Sequence, residues 1–377
     1  MSLAETDDEA LLREAARGFL DDAAPVSRLR AMRDDGRTGD PDLWARMVEM
    51  GWAGVLVPEA AGGADMGHRA AGILAEEMGR TLAVSPFLST AVIAATALRL
   101  AGGPAAGEAL GAIAAGRRTY AVAVDEGRKF APAATGMTAE RSGNGYSLTG
   151  TKTFVADGAN AARILVVART SGTPGDAVGL TLFDLERGRA GIAADPGRSI
   201  DSLDRATIRF QDVEATGADI VGAQDEALSV LSPALRAGQA ALAAEMTGLS
   251  AAALHLTIAF MKERRQFDRP IGSFQALQFR AAHLWSDIEM TASTIVNAGR
   301  MLDTDPQRAT LAVSLAKARA TATARLAVSE GVQLHGGVGV TDALDMGFYM
   351  KRARVGAEWL GDYGYHAAEV ARERGLR

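Results

Sequence analysis

The chain has 377 residues, of which 48% are hydrophobic and 23% charged, a composition typical of a globular chain with large cores. Its formal net charge of -6 gives no reason to expect nucleic acid as a partner. The absence of cysteine excludes disulfides, thiolate metal ligands and cysteine nucleophiles, and it is compatible with a reducing cytosol. The length predicts two or three domains.

Residues 1–117 have the pattern of a helical domain. Thr6 or Asp7 can cap a first helix that runs through Phe19. Three further segments have helical patterns: 42–50, 68–80 and 90–100. Ser89 is the predicted N-cap of the last of these.

The pattern changes from helices to strands at residue 118. A hairpin-type turn at Ser142–Gly145 separates two short alternating runs. Five more runs have strand patterns: 119–124, 153–155, 164–169, 178–183 and 206–210. No helix of useful length interrupts them, which argues against a βαβ dinucleotide-binding unit. Residues 118–222 are therefore predicted to form a small antiparallel barrel or sandwich.

Beyond residue 223 the pattern is helical again. Four long, Ala-rich segments follow: 227–265, 274–302, 305–332 and 345–374. Because long helices with small residues pack closely, 223–377 is predicted to be a four-helix bundle. The expected fold is α+β and mainly α, with domains at 1–117, 118–222 and 223–377.

An elbow with the sequence RRQFDRPIGSFQALQ, residues 264–278, joins the first two of these helices. Pro270–Gly272 breaks the helical pattern, and Ser273 is the predicted N-cap of the second helix. The elbow carries groups that could grip a large, flat, anionic ligand: the Arg264 guanidinium, the Phe267 and Phe274 rings, and the Gln275 amide. An ordinary helix end with packed aromatic rings is the alternative.

Three motifs on this plan resemble those of the acyl-CoA dehydrogenase family: RRQFDRPIGSFQ in the elbow, QLHGGVGV at 333–340 and GTKTFV at 150–155. The resemblance covers essentially the whole chain, and the two C-terminal motifs lie at the expected helix boundaries. It implies that FAD binds between the β domain and the bundle, with a neighbouring subunit supplying part of the site.

The resemblance implies a role for each C-terminal motif. Arg264 would hold the pyrophosphate, and four more elbow residues would line the cofactor across a subunit interface: Phe267, Ile271, Phe274 and Gln275. Gln333 through Gly337 would meet the adenine dinucleotide from the other chain. Because Gly336 and Gly337 lack side chains, their backbone N–H groups can approach phosphates closely. A plain C-terminal cap of the preceding helix is the alternative for this run.

By the same resemblance, Phe154 and Val155 would form the wall behind the flavin, with two core residues on a strand as the alternative. Three positions depart from the family pattern. Ala156 stands where a threonine that donates to flavin N5 is expected, and Asp268 stands where glycine is usual in the elbow. The Thr-Glu-Pro loop that contacts flavin and substrate is replaced by VDEGRKF at 124–130.

The reaction that the resemblance implies is α,β-desaturation of an acyl-CoA thioester. A carboxylate removes the α-proton while the β-hydride passes to flavin N5. The family's base is a glutamate at one of two places, which correspond here to Leu360 and Gly238, and neither is a carboxylate. Since a positioned general base contributes roughly 10²–10⁴-fold, its absence would leave little desaturation.

Three nearby carboxylates are candidate substitutes for this base: Asp362, Glu358 and Glu245. Asp362 is the first choice, because a small backbone shift at Gly361 could aim it inward. In an unbroken helix Glu358 and Asp362 would share a face. Glu245 lies on the same helical face as Gly238, but about 10 Å further along the axis. The alternatives are a solvated helix end for Glu358 and Asp362, and a polar contact inside the bundle for Glu245.

The closing stretch, 352–366, resembles a bacterial subgroup associated with bulky acyl-CoAs, including steroid side-chain thioesters. Some members of that subgroup pair a catalytic subunit with a partner that lacks the base. The expected partners are an acyl-CoA substrate, an electron-transfer flavoprotein and further subunits, in a homotetramer or dimer or in a hetero-oligomer with a homologous chain. A non-catalytic subunit that completes a partner's FAD site is one alternative function, and a flavin oxidase on the same fold is another.

Other patterns bear on location and metals. Residues 1–12 are acidic, the opposite of a secretory signal, and the apolar run 83–100 contains two serines and a proline. That run predicts a loop followed by a helix rather than a membrane span. The five histidines are scattered without zinc-ligand spacing. We therefore expect a cytoplasmic protein with no membrane span and no metal.

Overall fold

The structure is a computed structural model that describes residues 3–376. The chain forms two compact units: the first contains Met1–Ala31, His68–Ala83 and Gln239–Arg377, and the second contains Met32–Gly67 and Val84–Gly238. We call the first the helical unit and the second the sheet unit. The division into domains 1–117, 118–222 and 223–377 stays a prediction.

The N-terminal part of the chain is helical, as predicted. Its α-helices are α1 (Asp7–Ala23), α2 (Val26–Asp34), α3 (Pro41–Glu49), α4 (Gly67–Thr81), α5 (Ala95–Ala101) and α6 (Gly103–Ala114). The predicted cap at Thr6 is confirmed, because its hydroxyl accepts from the Glu9 N–H while the Glu9 carboxylate accepts from the Thr6 N–H. The predicted cap at Ser89 is wrong. Ser89 lies inside wide π-helical turns, Phe87–Ala94, and its hydroxyl donates to the carbonyl of Pro86.

The sheet unit contains one sheet of eight strands: β1 (Tyr120–Ala123), β2 (Thr138–Ser142), β3 (Gly145–Ala156), β4 (Arg163–Arg169), β5 (Leu180–Glu186), β6 (Ile192–Arg198), β7 (Asp204–Ala215) and β8 (Ile220–Val221). The strand order is β6-β7-β3-β2-β4-β5-β8, with β1 paired to β4. The predicted hairpin is confirmed, since Ser142 pairs with Gly145. The predicted separate strand 153–155 is the end of β3, and β6 and β8 were not predicted.

Most pairs in this sheet are antiparallel, as predicted, but two are not. β1 runs parallel to β4 along four residues, and β2 runs parallel to β4 at one position. Apolar side chains from several strands meet in one buried cluster, which includes Leu148, Ile164, Phe183 and Ile208. The cluster fixes the register of β3, because a slip of one residue would turn its apolar side chains to the other face.

The C-terminal helices of the bundle are α7 (Ala227–Glu263), α8 (Gln275–Thr304), α9 (Ala309–His335), α10 (Met346–Glu358) and α11 (Tyr363–Glu373). The prediction of one helix over 345–374 is wrong. Leu360 and Gly361 have φ angles of 60° and 103°, outside the helical region, so the helix stops and restarts there. The predicted N-cap at Ser273 is also wrong: its hydroxyl donates to the Pro270 carbonyl, and Phe274 precedes α8.

Two glycines let α4 and α7 approach closely within the helical unit. A Cβ on Gly79 would lie 1.9 Å from the carbonyl oxygen of Glu245, and one on Gly248 would lie 1.8 Å from that of Glu76. A side chain of α8 caps the start of α4: the Asp303 carboxylate accepts from the N–H groups of His68 and Arg69 at 2.6 and 3.0 Å. The close approach of α4 and α7 therefore depends on two glycines that the sequence pattern does not single out.

Within residues 3–376, α7 is the single helix long and apolar enough to cross a membrane by length and composition. Inside the protein, 67% of its most apolar window is buried, as is usual for the core helix of a globular protein.

Candidate active site

The elbow after α7 is a small hairpin rather than a helix end. β9 (Arg265–Gln266) pairs with β10 (Arg269–Pro270), and Phe267 and Asp268 form the two-residue turn. Both turn residues have positive φ, 53° and 62°. Such turns require φ > 0 at both central positions, so glycine would be the easier residue at 268. Aspartate tolerates this conformation better than most residues, which explains how the hairpin forms with Asp268 at this position.

The surface of the elbow offers rings and cations to solvent. Phe267 is 86% exposed and contacts Phe274 edge to face, with ring centroids 6.1 Å apart. The Arg269 guanidinium lies 4.0 Å from the centroid of the Phe274 ring. The other predicted cofactor residues lie beside them, exposed or half-buried: Arg264, Ile271 and Gln275. This exposed combination fits a flat, anionic ligand such as FAD.

The two glycines after α9 differ in their role: Gly336 caps the helix, and Gly337 is exposed to solvent. Gly336 ends α9 with φ 63°, and its N–H donates to the Gln333 carbonyl, so the alternative of a C-terminal cap is realised at this residue. Gly337 is exposed and does not have a positive φ, and a Cβ there would meet nothing within 4 Å. The fold of this chain therefore requires glycine at 336 but not at 337. A glycine that its own chain does not require leaves backbone open to an external ligand, which fits the expected phosphate contact.

The predicted flavin wall lies in the sheet unit, at the end of β3. The pairing of β3 with β7 shifts register between Lys152 and Val155, and Phe154 at this bulge has φ 55° and 39% exposure. The Arg205 guanidinium stands 5.6 Å from the Phe154 ring centroid. Val155 and Ala156 are buried at 2% and 4% exposure. Of the three residues predicted to form the flavin wall, Phe154 is therefore exposed, while Val155 and Ala156 lie in the core.

Beside this bulge, the segment after β1 carries charged groups, and it belongs to the run 124–130 that departs from the family pattern. Lys152 is fully buried, and its ammonium donates to a Glu126 carboxylate oxygen at 2.7 Å and to the Val124 carbonyl at 3.1 Å. Glu126 also accepts from two backbone N–H groups. Burial raises the pKa of Asp125 to about 6, although Lys152 opposes this shift. The lysine within the alternating pattern of β3 was a signal that the sequence offered for this buried ion pair.

The helix break between α10 and α11 is held by three polar side chains; we call residues 359–362 the corner. Leu360 is 4% exposed, and its carbonyl accepts from Gln239 Nε2 at 3.0 Å. His366 Nε2 lies 3.1 Å from the same oxygen. The ammonium of Lys317 donates to the carbonyls of Gly356 and Gly361 at 2.9 and 3.2 Å. These bonds satisfy carbonyls that the break would otherwise leave without a helical partner.

Two of these side chains are buried titratable groups. Burial lowers the pKa of Lys317 to about 7, while Glu358 and Asp362 pull it upward. Burial lowers the pKa of His366 to about 4, and the nearby Lys317 charge acts in the same direction. Neither residue was predicted from the sequence, although a lysine within the Ala-rich α9 pattern (SLAKARA) was a visible signal.

The three candidate carboxylates each have a partner. Glu245 pairs with Arg352 at 2.8 Å, and Glu358 pairs with Arg354 at 2.8 Å. Asp362 is the N-cap of α11, where its carboxylate accepts from the Tyr365 N–H at 2.8 Å. The condition that Glu358 and Asp362 share the face of one helix is not met, because the helix is broken between them. Their assignment as candidate bases stays a prediction.

Comparisons with known proteins agree on one family. Residues 6–117 match the family described as "Acyl-CoA dehydrogenase, N-terminal domain", and residues 228–374 match "Acyl-CoA dehydrogenase, C-terminal domain". The chain is 31% identical over 355 residues to acyl-CoA dehydrogenase IpdE2 of Mycobacterium tuberculosis, covering 94% of this chain and 93% of that protein. It is 25% identical to the caffeyl-CoA reductase-Etf complex subunit CarC of Acetobacterium woodii, covering 89% of each.

A solved structure has the same fold over its whole length. The chain matches one from the ChsE4-ChsE5 complex of Mycobacterium tuberculosis with a TM-score of 0.88 and 26% identity, covering 100% of both chains. The predicted arrangement of helical segment, central sheet and C-terminal helices is thereby confirmed at the level of the fold.

Proposed function

Because this chain belongs to the acyl-CoA dehydrogenase family, we propose that it carries out flavin-dependent α,β-desaturation of an acyl-CoA thioester. Members of this family bind FAD and are oxidoreductases acting on CH–CH groups. The observation that carries the proposal is the pair of exposed C-terminal motifs. The elbow exposes aromatic rings and cations to solvent, and the fold of this chain does not require glycine at 337.

The proposal gives each motif a part in holding FAD. Arg264 binds the pyrophosphate, while Phe267, Ile271, Phe274 and Gln275 line the cofactor. In the other subunit, Gln333, Gly336 and Gly337 meet the adenine dinucleotide. In the sheet unit, Phe154, Val155 and Ala156 are the residues that would contact the flavin. When bound, FAD supplies the acceptor for the hydride that leaves the β-carbon.

The α-proton needs an acceptor on the protein. We keep Asp362 as the first candidate, since it directly follows Gly361 at the corner, and its Oδ1 accepts from the Tyr365 N–H. Glu358 and Glu245 contact Arg354 and Arg352, each through one carboxylate oxygen. Because a carboxylate has two oxygens, a partner on one of them does not prevent the other from taking a proton.

A second function is supported by the corner itself: a non-catalytic subunit that completes the FAD site of a homologous chain. The buried Leu360 stands where the base is expected, and the three carboxylates nearby have partners. A similar chain comes from the two-component ChsE4-ChsE5 complex. Helix α8 also exposes large apolar side chains of the kind that subunit interfaces bury: Phe279 at 65%, Trp285 at 56% and Met290 at 53%.

The electron acceptor that we propose is an electron-transfer flavoprotein, in keeping with the Etf complex of the Acetobacterium woodii relative. We further propose that the protein works in the cytoplasm, as a homotetramer or dimer or together with a homologous chain. A bulky acyl-CoA is the proposed substrate class. Rapid peroxide production in air would instead favour a flavin oxidase.

The test of the proposed function begins with the FAD content of the purified protein, which bound flavin makes yellow. The chain is purified alone and after co-expression with a homologous subunit, and FAD content and mass are measured. Anaerobic bleaching of the bound flavin by acyl-CoA thioesters, bulky ones included, supports the dehydrogenase. Weak FAD retention alone, restored by the second chain, supports the non-catalytic subunit. A colourless protein under both conditions contradicts both functions.

A further inference from the structure

Lys317 is a lysine of α9 whose ammonium binds the backbone on both sides of the corner. Its side chain is fully buried, and Nζ has three acceptors within hydrogen-bonding distance: the carbonyls of Gly356 and Gly361 at 2.9 and 3.2 Å, and the Thr321 hydroxyl at 3.3 Å. An ammonium has three N–H donors, so the charged form of Lys317 matches this set of acceptors. The proposed FAD contacts and candidate bases do not include this residue.

On one side of the break, Lys317 replaces a backbone donor at the end of α10. In an unbroken helix the Gly356 carbonyl would accept from the N–H of residue 360, four positions later. Trp359 has an extended ψ of 137°, which turns the N–H of Leu360 out of the helix. The ammonium at 2.9 Å therefore supplies the donor that the Gly356 carbonyl loses at this break.

On the other side of the break, Lys317 is linked to the first candidate base. In an unbroken helix the Gly361 carbonyl would accept from the Tyr365 N–H, but that N–H donates to the Asp362 carboxylate at 2.8 Å. The ammonium again supplies the missing donor, at 3.2 Å from the Gly361 oxygen. One charged group therefore holds the backbone before and after residue 360, where the family has its base, and next to Asp362 in the chain.

We propose that Lys317 is a positioning residue for the proposed dehydrogenation: its ammonium fixes the direction of residues 360–362, and the reaction slows when the ammonium loses its proton. The inference rests on the proposed function, which places the proton acceptor at the corner. A neutral amine has two N–H donors for three acceptors, and its bonds to the carbonyls are weaker because they are no longer charge-assisted. Deprotonation therefore loosens the backbone that carries the acceptor of the α-proton.

The charges around Lys317 set the pH at which this change occurs. Burial lowers its pKa to about 7, while the Glu358 and Asp362 carboxylates oppose the shift, and no other charged group among the described residues contributes to it. His366 of α11 is neutral in this range because burial lowers its pKa to about 4, and α7 contributes the uncharged Gln239 to the corner. Below pH 7 the ammonium holds the corner, and above pH 7 this hold weakens. The overall stability does not fall with this loss, because the unfolded chain keeps the proton up to its pKa of 10.5.

The experiment compares wild type with Lys317→Met, which has no donor, and Lys317→Gln, which keeps two donors without a charge. Lys262, in the last turn of α7, is exposed, and Lys262→Met is the control. Stopped-flow absorbance measures anaerobic bleaching of each FAD-loaded assembly by one acyl-CoA thioester, from about pH 6 to about pH 9. Hydrogen–deuterium exchange of the peptide that contains residues 359–366 reports on the corner without substrate. Far-UV circular dichroism verifies the fold, and Lys317→Gln serves where Lys317→Met does not fold.

We expect wild type to bleach about tenfold faster than Lys317→Gln near pH 6 and at the same rate near pH 9, since one charge-assisted bond corresponds to about a factor of ten. Lys317→Met should be slow at every pH, without a step near pH 7. Exchange at the corner should be slower in wild type than in both Lys317 variants only below about pH 7. Lys262→Met should follow wild type in both measurements.

Two results would overturn this inference and leave the proposed function standing. One is the same pH dependence of bleaching and of corner exchange in wild type and in both Lys317 variants. The other is a uniform loss of rate in these variants with no step near pH 7 in wild type, which would reduce Lys317 to a structural role. No bleaching by any of the assemblies at any pH would overturn the proposed function and this inference together.

Discussion

Glu245 and Arg352 form an ion pair inside the helical unit, with 2.8 Å between a carboxylate oxygen and the guanidinium, and their side chains are only 12% and 6% accessible. The pair joins α7 to α10 just before the corner. An arginine in this setting needs its carboxylate, because removing one member of a buried pair leaves an uncompensated charge. This ion pair supports the alternative interpretation of Glu245, which is a polar contact inside the bundle rather than the catalytic base.

We predict that Glu245→Gln lowers the free energy of unfolding by about 3 kcal/mol, measured by urea denaturation. Replacing both members with methionine should restore much of the loss, since an apolar pair of similar volume is tolerated where half an ion pair is not. The FAD-loaded variant should retain whatever flavin bleaching wild type has. Unchanged stability together with lost bleaching would instead identify Glu245 as the base.

The corner leads to a gain-of-function prediction. The carbonyl of Leu360 is bound by Gln239 and lies within hydrogen-bonding distance of His366, so the backbone that orients side chain 360 is fixed even though the side chain is apolar. We predict that Leu360→Glu increases the rate of anaerobic flavin bleaching by roughly 10²–10⁴-fold, the usual contribution of a positioned general base.

The matched control is Leu360→Gln, which has nearly the same shape but cannot accept the α-proton. Stopped-flow absorbance of the FAD-loaded assembly measures both variants with one thioester. If the glutamate and glutamine variants bleach at the same rate, the corner does not aim residue 360 at the substrate.

Lys317 predicts a specific pH dependence of stability. Its folded pKa is lowered to about 7 from 10.5, so between these values the unfolded chain binds more protons than the folded one. Stability therefore increases as the pH rises from 7 toward 10.5, and below 7 the penalty for burying the charge is constant. We predict that Lys317→Met loses up to about 1.4 kcal/mol of this increase per pH unit.

The measurement is urea denaturation of wild type and Lys317→Met at several values between pH 7 and pH 10, comparing the difference between the two proteins. Lys262, in the last turn of α7, is exposed, and Lys262→Met is the control. Parallel stability curves for wild type and Lys317→Met would contradict the lowered pKa.

The glycine crossing of α4 and α7 predicts large effects from small changes. A Cβ at Gly79 or Gly248 would collide with backbone oxygens of Glu245 or Glu76, which cannot move without shifting a helix. We predict that Gly79→Ala and Gly248→Ala each destabilise the protein by about 3 kcal/mol, at the upper end of the usual overpacking range.

Gly18 supplies the control for this crossing. It is an exposed glycine inside α1, and an added methyl group there would have no other atom within 4 Å, so Gly18→Ala should stabilise by about 0.5–1 kcal/mol through helix propensity. Thermal unfolding of the three variants tests both directions of the effect. Similar melting temperatures for Gly79→Ala and Gly18→Ala would show that the helices separate at little cost.

Periodicity predicted most of the helices because each buries an apolar face over several turns, and it located the first helix to within four residues of its end. It could not find the corner. Trp359 and Leu360 continue the apolar spacing, and a single glycine inside a helix is tolerated, so nothing local marks a break. The break is held by His366, which lies only 6 residues after Leu360, and by Gln239 and Lys317, which are distant in sequence from the carbonyls they bind.

The site shows the same division between local and distant information. The elbow was visible because rings and cations surround a proline and a glycine, but the sequence predicted only a tight turn between two helices and not its hairpin. Strand β6 was missed since IAADPGR contains one β-branched residue and no aromatic residue. The buried Lys152 and its bond to Glu126 depend on packing in three dimensions, which residue spacing does not encode.

The diglycine allows the structural and ligand-binding roles of adjacent residues to be separated. Gly336 has φ 63° at the end of α9, so a side chain there strains the backbone, whereas Gly337 has neither a positive φ nor a neighbour within 4 Å of an added Cβ.

We predict that Gly336→Ala lowers the free energy of unfolding of the apoprotein by about 1–2 kcal/mol. Gly337→Ala should leave that stability unchanged and weaken FAD binding about tenfold, because its methyl group would stand between backbone and phosphate. Urea denaturation of the apoprotein and FAD titration of the complete assembly measure the two effects independently. Wild-type FAD affinity in Gly337→Ala would remove the diglycine from the cofactor site and leave it as a helix cap alone.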